Sequence, residues 1–329
     1  METALATLLS PIILFFLLGL GAALLRSQTT VPEAFAKGLA IYLMMAIGLK
    51  GGVEMAKNPL TIEVVAVLIA GIILSFAIPV LAFAILRATT RLNATDAAAA
   101  AAHYGSISIV TFVAATDALE RLGVEASGHL VAVAALMEAP AIISALVIIS
   151  RMDRQPKDRA SAMADADRGE LVREVLLNAS VVVLLGALFI GWIAGEEGTA
   201  GIAPFFTGLF QGVLCLFLLD MGLSAGRGLR NGWRQLGFGT IAFGLYMPVV
   251  SACIAAIIAW ALGMPAADAA LLITLTASAS YIAVPAAMRL ALPKARPSVY
   301  LTLSLGITFP FNVIFGIPLY IGMANFVAG

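Results

Sequence analysis

Two short polar stretches stand out in a chain that is otherwise mostly apolar. Gly105-Ser106-Ile107-Ser108 is followed by Thr111, and Ser278-Ala279-Ser280-Tyr281 repeats the Ser-x-Ser pattern at an offset of 172 residues. Each pair begins ten residues after an aspartate, Asp96 in the first half and Asp268 in the second. Serines two apart do not share a face of a continuous helix, so the spacing beside Gly105 predicts that the helix stops being regular there. A broken helix leaves N–H groups without intrahelical partners, and inside a membrane such backbone is tolerated only where it is buried or lines a cavity. The N-terminus of the half-helix beyond the break carries partial positive charge, which favours an anion. Two such breaks brought together would hold a small anion with backbone donors and the hydroxyls of Ser106, Ser108, Thr111, Ser278 and Ser280, without a buried Lys or Arg. The competing role is packing, in which small hydroxyl residues let helices approach closely and bond back to the preceding turn. Recurrence at matching positions of the two halves favours the site.

A second group of residues could handle a cation. Glu138 lies two residues before Pro140, where a proline frees a backbone carbonyl. Its counterpart is Thr308 before Pro310, with Asn312 just beyond. Carboxylate, hydroxyl, amide and loosened carbonyl oxygens are hard ligands that suit an alkali cation such as Na+. Glu138 and Thr308 are the first candidates to hold it, against a structurally paired or protonated Glu138. His103, beside Tyr104, could tune the site or carry a proton, or simply line the site with a hydrogen bond. Asp96 and Asp268 are expected to cap helices, and Asp220 to pair with Arg227 or Arg230. Gly19-Leu20-Gly21 reads as a helix-packing feature rather than part of a dinucleotide motif. No H-E-x-x-H, G-x-S-x-G or Walker loop is present, so neither an enzyme nor a bound cofactor is expected.

These residues must be positioned by membrane helices. Hydrophobic residues make up 61% of the chain and charged ones 12%, with a mean hydropathy of +1.03, well outside the range of soluble domains. The net charge is zero and no basic, aromatic-interleaved run is present, so nothing points to nucleic acid. Ten apolar spans are predicted at 8–25, 34–49, 61–86, 96–116, 128–150, 175–194, 204–224, 236–262, 268–290 and 298–323. Pro79 answers Pro248, Pro140 answers Pro310, and the glycine-rich end of the second span, Gly48 to Gly52, answers Gly222 to Gly226. The expected fold is therefore an all-α polytopic membrane protein of two five-helix repeats, 1–150 and 174–329, joined by a polar linker at 151–173. A repeat with an odd number of crossings re-enters the membrane from the other side, which makes the repeats inverted. Sixteen Lys and Arg fall in segments on the linker's side, against Lys50, Lys57 and Arg121 opposite. The positive-inside rule then places the linker in the cytoplasm and both termini outside.

At these residues the chain resembles the sodium-dependent bicarbonate transporter family. The likeness is carried by Gly105 to Ser108 with Thr111 and Phe112, by Ala277 to Ser280 with Ile282 and Pro285, by Met137 to Pro140, and by the Ile47 to Gly52 turn. It runs along nearly the whole chain outside the linker. The resemblance implies a gate domain from spans one, two, six and seven, a core domain from the other six, and a homotrimer in the inner membrane. It also implies symport of sodium with bicarbonate, the anion binding where spans four and nine cross, at Gly105, Ser106, Ile107, Ser108, Thr111, Ser278, Ala279, Ser280 and Tyr281. Two positions differ from the cyanobacterial pattern, which has an acidic residue in place of Tyr281 and a hydroxyl in place of Ala279. The linker is shorter, so docking of the family's soluble PII-like regulator is not carried over. The alternatives are another small anion or carboxylate, with proton coupling through His103 and Glu138, and a membrane sensor or scaffold that signals through the linker.

Overall fold

The computed structural model describes residues 11–57, 61–152, 179–232, 236–281, 284–285, 288, 292 and 294–329. Among them every regular element is helical. The order is α1 (Pro11–Leu24), α2 (Glu33–Lys57), α3 (Ile62–Thr89), α4 (Ala94–Gly105), α5 (Ile109–Arg121), α6 (His129–Leu136), α7 (Glu138–Met152), α8 (Ala179–Thr199), α9 (Phe210–Gly232), α10 (Phe238–Ala261), α11 (Ala266–Ala277) and α12 (Pro297–Val327). The last is interrupted by wider π turns at Thr302–Thr308 and Asn312–Gly316, on either side of Pro310.

Seven of the described helices are long and apolar enough to cross a membrane, counting Ala94–Arg121 as one. Shorter apolar helices at Pro11–Leu24, His129–Ala145 and Ala266–Ala277 stand where the first, fifth and ninth spans were expected. Ten full crossings are thus not seen among the described residues. The linker from Asp153 onward, the start of the sixth span and much of the second half of the ninth lie outside them. Large apolar side chains such as Ile69, Ile73, Phe189, Ile193, Ile257 and Phe326 face outward, while Ser106, Thr111, Ser278, Thr308 and Asn312 are buried. Apolar outside and polar inside is the arrangement that a lipid solvent selects.

The second span corrects the sequence reading most clearly. No turn forms at Gly48 to Gly52, because α2 runs unbroken to Lys57. The glycines serve packing instead. Gly48 and Gly52 lie one helical turn apart and face the backbone of α8 at Leu184 and Leu188, while Gly191 of α8 faces Leu49. The same device joins α9 to α1: Gly222 and Gly226 face Phe16 and Leu20, and Gly19 faces Leu219. Lipid gives no hydrophobic drive for helices to associate, so close backbone approach through small residues supplies the contact. Likewise α4 can be enclosed on every side because Ala97 to Ala102 carry only methyl groups, all fully buried.

An alanine methyl at Gly222 would collide with the Phe16 carbonyl. Gly222→Ala should therefore lower stability by about 1–3 kcal/mol through overpacking, read as a lower unfolding midpoint in detergent. Gly186→Ala, where an added methyl meets nothing within 4 Å, should leave the midpoint unchanged or raised.

Candidate functional site

The path to the site begins with two prolines. Pro79 lacks the N–H that would bond the Ser75 carbonyl, and Pro248 does the same to Gly244. Gly105 packs against Pro79 and the Ser75 carbonyl, so close that any side chain there would overlap the proline ring. The freed Gly244 carbonyl accepts a 2.8 Å hydrogen bond from Thr308 Oγ1, which also pairs with the Tyr104 hydroxyl at 2.7 Å. On the other side, Ser75 Oγ donates to the Met137 carbonyl at 2.5 Å.

At Ser106 the helix gives way to extended backbone, and α5 starts afresh after Ser108, which caps it. The Ser108 hydroxyl accepts from Thr111 N at 3.2 Å and from Thr111 Oγ1 at 2.9 Å. The second break follows Ala277, with Ser278 again extended. Its terminal carbonyl, on Ala277, accepts from Asn312 Nδ2 at 3.1 Å, and Asn312 is fixed in turn by the Tyr320 hydroxyl at 2.6 Å.

The two breaks bond directly to each other. Ser108 N donates to Ser278 Oγ at 2.8 Å, and that hydroxyl donates onward to the Leu275 carbonyl at 2.8 Å. Ser280 N donates to the His103 carbonyl at 2.8 Å. His103 Nδ1 lies 2.8 Å from the Ser280 carbonyl. Because a carbonyl only accepts, Nδ1 carries the proton, and a neutral ring then presents a bare Nε2 as an acceptor. The imidazole stacks on Tyr300, centroids 4.8 Å apart. Three buried polar atoms around this junction, His103 Nε2, Ser106 Oγ and Tyr281 Oη, have no hydrogen-bond partner among the described residues. The Tyr281 hydroxyl is turned toward Ser108, but it meets no hydrogen-bond geometry there, while its ring packs edge-on against Phe309. The first-turn N–H groups of Ile109 and Val110 have no intrahelical acceptor by construction. The junction thus combines hydroxyl and amide donors with one nitrogen acceptor and no cationic side chain. Buried groups of this kind are costly unless something pairs with them.

A family model, the Na+-dependent bicarbonate transporter superfamily, matches residues 11–325. The chain belongs to this superfamily. No curated protein sequence matches it. Family membership makes it a membrane transporter of the bicarbonate and sodium class rather than an enzyme.

The other sequence-derived candidates divide. Glu138 is buried at the start of α7, yet no hydrogen bond among the described residues joins it to Thr308 or Asn312. No group of three or more His, Cys, Asp or Glu able to hold a metal occurs among the described residues. Asp96 does not cap its own helix, since Asn93 does, accepting from Asp96 N at 2.7 Å. Its carboxylate instead holds Arg296 N and Nε, both at 2.8 Å, at the threshold of α12. Asp268 likewise holds Ser127 N and Oγ, both at 2.7 Å, just ahead of α6. Asp220 makes no ion pair among the described residues, and Arg227 and Arg230 bond the Thr29 and Ala23 carbonyls instead. Sequence reasoning passed over Asp117, whose carboxylate accepts from Arg121 at 2.6 Å and from Gln211 at 3.0 Å. Its signal was its place inside an apolar stretch four residues before an arginine.

Ser278→Ala would orphan the Ser108 N–H, while the Leu275 carbonyl keeps its bond from Ser278 N at 3.2 Å, at an expected cost of about 1–3 kcal/mol. Tyr281→Phe removes a hydroxyl that has no partner, so its unfolding midpoint in detergent should stay level or rise.

Proposed function

We propose that the chain is a secondary active transporter that takes up bicarbonate with sodium by alternating access, the anion resting where the two breaks meet. The observation that carries this reading is the set of buried, unpartnered polar atoms on His103, Ser106 and Tyr281, gathered at the junction of two helix breaks. Bicarbonate suits such a junction: its charged oxygens would take hydrogen bonds from Ser106, Tyr281 and the N-terminal amides of α5. Its own O–H would need an acceptor, and His103 Nε2 has the right polarity. Gly105, Ile107, Ser108, Thr111, Ser278, Ala279 and Ser280 complete the wall in this reading. The binding energy then comes from oriented dipoles, which releases the ion more readily than a buried Lys or Arg would.

For sodium, two oxygen clusters lie in corresponding places: Ser75 Oγ and the Met137 carbonyl beside Glu138, and the Gly244 carbonyl with Thr308 Oγ1 and Tyr104 Oη. We assign the ion to these, with Glu138 and Thr308 as the defining residues and Asn312 and His103 as supports. One sodium per bicarbonate is electroneutral, whereas a second would add about 2.3 kcal/mol of drive per 100 mV of membrane potential. The proposed setting is the inner membrane, with both termini outside, the 151–173 linker in the cytoplasm, and the chain assembled as a homotrimer.

In proteoliposomes, radiolabelled bicarbonate uptake should require an inward sodium gradient, measured at a pH where dissolved carbon dioxide is minor. Ser106→Ala and Tyr281→Phe each remove one donor to a charged ligand, worth about 1.5–3 kcal/mol, so each should weaken apparent affinity about 10- to 100-fold while folding is retained. Unchanged uptake in both variants would overturn the site. Uptake driven by a proton gradient without sodium would overturn the coupling ion.

A further inference from the structure

A cleft opens on the side of the molecule that the orientation proposed above places outside. It offers ≈ 40 Å³ of room for water-sized molecules and lies between α2, α5 and α6. Its mouth carries Lys50, Glu54, Glu120 and Glu125, its wall carries Thr116, and its floor is formed by Ile47, Phe112, Val131 and Leu271. All four floor residues are buried. Glu120, Thr116, Phe112 and Ser108 succeed one another at intervals of four, and so descend one face of α5 from the mouth to the first break. Phe112 is thus one turn, roughly 6 Å, from Ser108.

One polar bridge spans the mouth of this cleft, and a second joins α9 to α5 outside its lining. Lys50 Nζ on α2 meets Glu120 Oε1 on α5 at 2.6 Å, and Gln211 Nε2 on α9 meets Asp117 Oδ1 at 3.0 Å. Beneath the first bridge, Gly51 of α2 and Gly128 ahead of α6 approach backbone to backbone, where no side chain would fit. A glycine contact offers little side-chain interlocking to resist sliding, so the ion pair is the specific polar attachment there.

We propose that this cleft is the outer entrance to the anion site, shut in this structure by the Lys50–Glu120 bridge above a plug of Ile47, Phe112, Val131 and Leu271. The inference rests on the proposed location of the site at the breaks. With Lys57 paired to Glu54 and Glu196, Lys50 shares the mouth with Glu125 as well as Glu120. It therefore also offsets negative charge that would otherwise repel an anion at the mouth.

The test uses the full-length protein in right-side-out vesicles, with Cys215 and Cys253 replaced by alanine and Thr116→Cys as reporter of a membrane-impermeant maleimide. Labelling should be slow in this parent. It should be about 2- to 5-fold faster in Lys50→Gln and in Glu120→Gln, since a partly exposed pair is worth up to about 1 kcal/mol. The exchange Lys50→Glu with Glu120→Lys should slow it again. Equal labelling in all four, or labelling from the linker side alone, would overturn the entrance. Joining Lys50→Cys to Glu120→Cys with a short reducible thiol cross-linker should stop bicarbonate uptake until reduction; undiminished uptake through the cross-linked protein would also overturn it. Labelling that follows the ion pair in protein that moves no bicarbonate would support the entrance and overturn only the cargo.

Discussion

Everything central to this molecule depends on two interrupted helices satisfying one another. An unpaired backbone group in the apolar interior costs several kcal/mol, and each Ser-x-Ser break creates several at once. Here the Ser108 N–H finds Ser278 Oγ, and His103 and Ser280 exchange two bonds, one from the imidazole and one from the backbone. Neither break would be tolerable alone. Paired, they leave over only the few polar atoms that a ligand can use. Stability and binding therefore draw on the same inventory of hydrogen-bonding groups, and a residue's role can be sorted by whether its partner is protein. Ser278 serves the fold in this sense, whereas Ser106 and Tyr281 are free to serve the proposed site.

The prolines extend the same logic outward. A proline within a membrane helix frees a carbonyl four residues back, and at Pro79 and Pro248 that carbonyl faces another helix. The Gly244 carbonyl takes the Thr308 hydroxyl, and the Ser75 carbonyl has Gly105 packed against it. The same glycine that lets α4 close on the proline also ends α4. Bringing the break to the proline and creating the break are thus one requirement.

The sequence disclosed the breaks, because Ser-x-Ser beside glycine conflicts with helical periodicity, and it disclosed the membrane class through composition. It was less informative about what the remaining polar groups do. Gly48 to Gly52 reads as a turn when only glycine content is considered. Its four-residue spacing, set against Gly191, fits a helix contact better, but that partner lies far along the chain. Asp96 and Asp268 sit where capping residues sit, yet their true partners, Arg296 and Ser127, are separated from them by 200 and 141 positions. Local pattern cannot reveal such pairings. Thr308 and Asn312 were singled out as ion ligands on residue type, whereas their observed partners are a proline-freed carbonyl and a helix end. Lys50 and Glu120 carry no motif at all, and only folding brings them to 2.6 Å.

The aspartates bear on how the site could be exposed. Asp96 ties the start of α4 to the threshold of α12, while His103, near the end of the same helix, is tied to Ser280. Asp268 ties the start of α11 to the segment before α6, while Ser278, just past its end, is tied to Ser108. Each crossing helix is thus gripped at both ends by the other half of the chain. The Asp96 carboxylate is fully buried where it meets Arg296, so breaking that grip would leave an uncompensated charge, which is far more costly than parting an exposed pair. In the proposed transport cycle, a motion that opens the site would therefore carry α4, α5, α11 and the starts of α6 and α12 together. What can yield is the boundary with α2 and α9, where the polar attachments among the described residues include a partly exposed ion pair, one amide bond and a long hydrogen bond from Thr302 to the Gly228 carbonyl. The hierarchy of strengths sets the line along which the molecule can divide.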